Sequence, residues 1–252
     1  MFGAPPRGMK NRYVQHNLEP EAGWFDRQPH QGENMQPIVC VVGASNSGKT
    51  TYLEKLIPEM VRRGYRVGTV KHDVHGFEMD REGKDSWRHR QAGASVIAVS
   101  SPSRIGMIRE MSGEMELEEL AGRYFWDTDI ILTEGYKKLH YPKVEVFRAA
   151  VESKPICGKE DNLLATVSDD PVPTDMPVFK FAEVARLADL IEDRFLKPRK
   201  RPRVLVLLDG RQLPMKDFVK DFLAEGIRGM LSTLRGWKGQ KSIDVQIRLG
   251  DE

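Results

Sequence analysis

Cysteine is scarce in this chain. Only Cys40 and Cys157 occur in 252 residues, far apart, so neither a disulfide framework nor a cysteine-built metal pair can be assembled. Charge of one sign is also lacking. With 39 basic against 37 acidic residues the net charge is +2, which gives no reason to expect a nucleic-acid partner. No apolar run approaches the roughly 18 residues that span a bilayer, and no signal-peptide pattern opens the chain. These absences predict a protein of the reducing cytoplasm with no membrane partner. What remains is ordinary globular material, 40% hydrophobic and 30% charged. The length suits one substantial domain, with or without an appendage.

The most informative stretch is "IVCVVGASNSGKTTYLEKLI", from Ile38 to Ile57. Ile38 to Val42 have the length and β-branching of a strand buried on both faces. Tyr52, Leu53, Leu56 and Ile57 return at helical spacing. Between them stands Gly43-x-x-x-x-Gly48-Lys49-Thr50, the pattern of a phosphate loop. Two glycines permit the tight turn through which consecutive N–H groups converge on a phosphate at a helix N-terminus. Lys49 would face the β/γ oxygens, and the Thr50 hydroxyl would ligate Mg²⁺. Asn46, Ser47 and Thr51 complete the cradle. The four fixed positions should match by chance in only about one chain of this size in a hundred.

Strands and helices alternate onward. Strands are expected at Arg66–Lys71, Ser95–Ser100, Ser103–Met111, Asp129–Lys137, Lys143–Arg148, Leu163–Asp169 and Pro177–Phe181. Helices are expected at Asp85–Ala92, Glu116–Phe125 and Glu183–Phe195. This order argues for an α/β fold of the P-loop NTPase type, a largely parallel sheet flanked by helices. Residues 1–35, rich in Pro, Gly, Gln and Asn, read as a disordered leader, with Met35 a candidate alternative start. The nucleotide-binding domain is set at 36–196 and a basic linker at 197–203. A small β-α-β extension is set at 204–252, its last strand "SIDVQIRL" alternating apolar residues along one face.

A phosphate loop also needs a carboxylate near the metal and a group to position water. In "IILTEGYK" an apolar strand delivers Glu134 to its C-terminal end, where ligands of open α/β sheets gather. The polar stretch Val70 to Ala94 supplies Asp73, which can reach Mg²⁺ through water, and Lys84 and Arg88, which can answer a second anion. Glu134 and Asp73 are thus the candidate catalytic acids, and Thr50, Asp73 and Glu134 the candidate metal ligands. Zinc on His72, His75 and His89 is a weaker alternative, since the spacing is not that of a tight imidazole pair. For Asp85, near a helix start, a plain capping role is the alternative to a ligand role.

"GASNSGKTT", "VGTVKHDVHGFEMDREGKDSWRHRQAGA" and "TEGYKKLHYPKVEVFR", in that order, resemble the molybdopterin-guanine dinucleotide biosynthesis adapter protein B family (MobB) over about Pro37 to Phe195. The resemblance implies a GTP-binding fold with weak Mg²⁺-dependent GTPase activity, usually a homodimer with an intersubunit sheet. It implies an accessory role beside the molybdopterin guanylyltransferase and association with molybdenum-insertion proteins. On it, Gly43, Gly48, Lys49, Thr50 and Thr51 carry phosphate binding. No Asn-Lys-x-Asp guanine signature is present, so the expected preference for GTP comes from the resemblance. A P-loop kinase for a small metabolite, its lid supplied by Lys84, Arg88 and Arg90, and a non-hydrolysing nucleotide-dependent interaction module are the competing expectations.

Overall fold

The five apolar residues ahead of the loop form β1 (Ile38–Val42), and every one of them is buried. Their side chains alternate between two cores, as the period of a strand requires. Val39 and Val41 face α1 (Lys49–Arg62) through Tyr52, Leu53, Leu56 and Met60, and face α4 (Val184–Ile191) through Leu187, Ala188 and Ile191. Ile38, Cys40 and Val42 pack on the opposite face with Leu117 and Ala121 of α3 (Leu117–Tyr124). This is a computed structural model, and it describes residues 36–73, 76–197, 204–208, 211–239, 242–245 and 247. The expected leader, and the expected linker beyond Lys197, lie outside the described residues.

Around β1 stand β2 (Val67–Lys71), β5 (Ile130–Glu134), β6 (Lys143–Val146), β7 (Leu163–Val167) and β8 (Val178–Phe179), in the order β2-β5-β1-β6-β7-β8. Every pairing in this sheet is parallel. The chain is therefore an α/β protein of the P-loop NTPase type, its sheet flanked by helices. β1 pairs with β5 on one side and β6 on the other, so the connections diverge at its C-terminal end. That divergence opens the crevice where ligands of open α/β sheets bind.

Three features depart from the simplest sequence reading. β3 (Val96–Ser100) and β4 (Ile105–Arg109), which follow α2 (Asp85–Gln91), do not join the parallel sheet. They pair with each other as a separate antiparallel hairpin. Val99, Ile105 and Met107 are exposed on it. In the tail, β9 (Leu207–Leu208) and β10 (Arg211–Gln212) form an antiparallel pair ahead of α5 (Asp217–Ser232). Of the strand expected to close the extension, residues 242–245 and 247 are described, and none of these is strand. Alternating apolar residues make a strand only where a neighbour supplies the ladder, and Val245 and Ile247 remain exposed. Among the described residues no helix is long and apolar enough to cross a membrane.

Candidate functional site

Past β1 the backbone turns at Gly43, with φ 145°, in a space that no side chain could enter. A Cβ there would fall deep inside contact with the Val146 carbonyl oxygen and 2.8 Å from Ser47 Oγ. Asn46, with φ 63°, and Gly48, with φ 100°, continue the left-handed turns, and Gly48 caps α1 without any side-chain cap. Tyr52 N–H donates to the Gly48 carbonyl at 2.9 Å, the first bond of the helix. The N–H groups of Lys49, Thr50 and Thr51 precede that bond and are presented at the positive end of the helix dipole. This is an anion cradle made of backbone.

Lys49 folds back over the loop. Its Nζ donates to the carbonyls of Gly43 (3.1 Å) and Ala44 (2.6 Å). Burial draws its pKa below the ordinary lysine value; Glu134 opposes that shift, while Lys71 and Lys137 add to it. A polyphosphate would offer this ammonium a full negative charge in place of two carbonyl dipoles. The donor set therefore fits a polyphosphate.

Beside it, the Thr50 hydroxyl donates to Glu134 Oε2 at 2.8 Å, across 84 positions of sequence. Strand register brings them together, for β5 lies next to β1 with Val41 opposite Glu134. Gly135 then turns with φ 110° and donates its N–H to the Val41 carbonyl. A hydroxyl and a carboxylate meeting at the helix start are the hard oxygen donors that Mg²⁺ takes. Lys71 Nζ stands 3.9 Å from Glu134 Oε1.

Asp73 sits at the same sheet end, exposed, one residue past His72. The His72 N–H donates to the Glu134 carbonyl at 3.0 Å, and its ring stacks on Tyr136 at 4.4 Å. The His72 Nε2 lies 2.7 Å from Glu114, His75 lies outside the described residues, and no group of three His, Cys, Asp or Glu side chains placed to hold a metal ion forms among those described. Arg90, one of the lid residues expected of a kinase, is paired with Glu78 (3.6 Å) and Glu110 (3.8 Å). Lys84 and Arg88 are exposed on and beside α2, and Lys84 serves as the residue before its first turn.

Two side chains that the sequence did not single out also reach the loop. Arg148, just past β6, donates from Nε to the Ser47 carbonyl at 3.0 Å, and its guanidinium lies 4.4 Å over the Phe181 ring. Phe181, just past β8, meets Tyr52 of α1 edge-on at 5.9 Å. The signal was available: both residues follow parallel strands at their C-terminal ends, the edge that gathers ligands.

Comparison with known proteins bears directly on this arrangement. Residues 38–169 match the family model described as "MobB: Molybdopterin guanine dinucleotide synthesis protein B". The molybdopterin-guanine dinucleotide biosynthesis adapter protein of Haemophilus influenzae is 35% identical over 161 residues, 64% of this chain and 90% of that protein. Its Escherichia coli counterpart is 36% identical over 166 residues, 64% of this chain and 94% of that protein. The crystal structure of Bacillus subtilis MobB superposes with a TM-score of 0.51 at 31% identity, covering 64% of this chain and 99% of that one.

Proposed function

Starting from a chain that belongs to the molybdopterin guanine dinucleotide synthesis protein B family, and hence from an adapter of molybdopterin-guanine dinucleotide biosynthesis, we propose that it binds GTP with Mg²⁺ at the loop between β1 and α1 and hydrolyses it slowly. The observation that carries the reading is the Thr50–Glu134 hydrogen bond at the mouth of a preset glycine loop, with the Lys49 ammonium poised on two carbonyls.

In this reading the N–H groups of the helix start and of the loop from Gly43 to Gly48, Asn46 and Ser47 included, grip the phosphates. Lys49 leaves its carbonyls for the β/γ oxygens. Mg²⁺, when bound, supplies positive charge at those oxygens. Thr50 would hold it directly, and Glu134 and Asp73 through water. Glu134 also orients the attacking water, with its backbone carbonyl fixed by the His72 N–H. Guanine is preferred to adenine, the protein works in the cytoplasm as a homodimer, and its partners are the molybdopterin guanylyltransferase and molybdenum-insertion proteins. Support for the pathway comes from the relatives' names, and support for the dimer from the apolar hairpin β3–β4, whose exposed Val99, Ile105 and Met107 suit pairing with a second copy.

Calorimetric titration with GTP and ATP at equal Mg²⁺ tests the reading, beside Lys49→Ala. Hydrogen bonds to charged groups are worth about 1.5–3 kcal/mol each, so the variant should lose on the order of ten- to a hundredfold in affinity. Wild-type affinity in Lys49→Ala would overturn the site, and ATP binding as tight as GTP would overturn the preference.

A further inference from the structure

Glu134 and Lys71 mark one side of the phosphate loop, since β5 and β2 lie to that side of β1. If the metal and the terminal phosphate sit there, the rest of a nucleotide must run the other way. It then passes over the C-terminal ends of β6, β7 and β8. Those three ends are tied into one surface. Arg148, from the end of β6, is pinned to the Ser47 carbonyl and laid on Phe181, from the end of β8. Arg148 Nε and Nη2 and Phe181 Cε1 each come within 3.4 Å of where a Cβ on Gly48 would stand, so this surface abuts the last glycine of the loop. From the end of β7, Asp169 accepts the Phe181 N–H through Oδ1 at 3.2 Å, and Asp170 accepts the Ala149 N–H at 2.8 Å. Both Arg148 and Asp169 are exposed.

Each part has a use for a flat heterocycle. A guanidinium held against an aromatic ring is a rigid, planar shelf of low entropy cost, and stacking on such a plane accepts a purine. The second carboxylate oxygen of Asp169 makes no hydrogen bond among the described residues, while Oδ1 is anchored. A carboxylate only accepts hydrogen bonds. It therefore complements a base edge that presents two adjacent N–H donors and opposes one that presents a lone pair.

We propose that Arg148, laid on Phe181, is the stacking shelf for a purine base and that Asp169 selects guanine by accepting from its N1–H and exocyclic amino group. The proposal rests on the phosphate-loop reading and adds the base subsite for which the chain carries no Asn-Lys-x-Asp signature. Adenine would turn an unprotonated ring nitrogen toward the carboxylate. Xanthine would turn a carbonyl toward it where guanine has its amino group. Asp169→Asn exchanges one acceptor for a donor, so it should invert the choice between guanine and xanthine.

The experiment titrates wild type and Asp169→Asn, with Mg²⁺, against GTP, xanthosine triphosphate, inosine triphosphate and inorganic tripolyphosphate. Wild type should bind GTP on the order of ten- to a hundredfold more tightly than the xanthine nucleotide, with the inosine nucleotide between them. Asp169→Asn should lose this preference or reverse it, while its tripolyphosphate affinity stays at the wild-type value. An unchanged GTP-to-xanthine ratio in Asp169→Asn overturns the subsite and leaves the phosphate loop standing. So does a wild type that binds GTP and inosine triphosphate equally, a comparison that needs no variant to fold. A wild type that binds neither GTP nor tripolyphosphate overturns the phosphate-loop reading itself.

Discussion

At the scale of single residues, the loop makes sharply different demands on neighbouring positions. Gly43→Ala would force a Cβ against the Val146 carbonyl, a backbone atom that cannot swing aside, at a φ of 145°. A loss on the order of 2–4 kcal/mol of stability is expected, visible as a lower urea midpoint without nucleotide. Thr50→Ala removes a hydroxyl and one methyl group from an exposed position, so the fold should not notice. Its GTP affinity should fall about tenfold in Mg²⁺ and scarcely at all in EDTA; equal losses in both would dissociate Thr50 from the metal. Glu134→Gln keeps an acceptor for Thr50 while losing the charge. It should retain binding within a few-fold and slow hydrolysis at least tenfold, and Asp73→Asn should weaken the Mg²⁺-dependent part of binding; turnover at the wild-type rate in both variants would remove them from the chemistry. The thiols behave oppositely to a nucleophile. Burial pushes Cys40 up to about 11 and Cys157 up to about 12, so at pH 8 the thiolate fraction of Cys157 is about 10⁻⁴ and alkylation of the folded protein should be slow at both. Rapid native-state labelling, read by mass spectrometry, would contradict this.

At the scale of elements, α1 is held from both ends. Its N-terminus belongs to the loop, and Arg63 at its C-terminus reaches four partners: Glu59 (2.8 Å), Glu192 (2.6 Å), Asp189 (2.8 Å) and the Ala185 carbonyl (2.9 Å). These tie α1 to α4 and to the π turn Glu192–Leu196 that continues it. Arg63→Ala should cost about 1–2 kcal/mol once solvent screening of the open rim is allowed for. The Arg63 hydrogen bond holds the Glu192 carboxyl below its ordinary 4.5, and Arg62 with Arg63 holds Glu59 down at about 2. A depressed carboxyl contributes stability that is whole above its unfolded pKa and lost as pH falls through the folded one. Wild type should therefore lose stability from about pH 4.5 downward toward 2, and Arg63→Ala should lose less over the same window; parallel pH–stability curves would refute the link. Much of this scale was legible beforehand. β1, α1 and β5 carry unbroken apolar runs or clean helical spacing, and the position of Glu134 followed from a strand ending. The hairpin's separation from the sheet was not legible, because a five-residue apolar strand looks alike whatever it pairs with. Arg148 was missed although its place just past a strand end was legible, because its partners, Ser47 and Phe181, lie 101 and 33 positions away and only the fold brings them to it.

At the scale of the whole molecule, the family match stops at Asp169, yet the chain continues and part of it packs back. Leu207 of β9 sits in the notch left by Gly122 of α3, its Cδ2 only 2.9 Å from where a Cβ would be. Phe218 and Phe222 of α5 stay exposed. Removing everything after Lys197 should therefore lower the melting temperature by a few degrees while leaving GTP affinity within about twofold, since every phosphate and metal candidate precedes the cut. A shortened protein that folds but no longer binds GTP would show that the tail reaches the site. The burial of β1 sets a further expectation, in time rather than in energy. Ringed by β5, β6 and two helical layers, its amides should trade deuterium only when the whole domain opens, hours after those of the outlying hairpin β3–β4. The phosphate loop springs from that slowest strand, so a nucleotide arriving at the crevice meets a floor already set, and the clock of its binding is kept by the ligand.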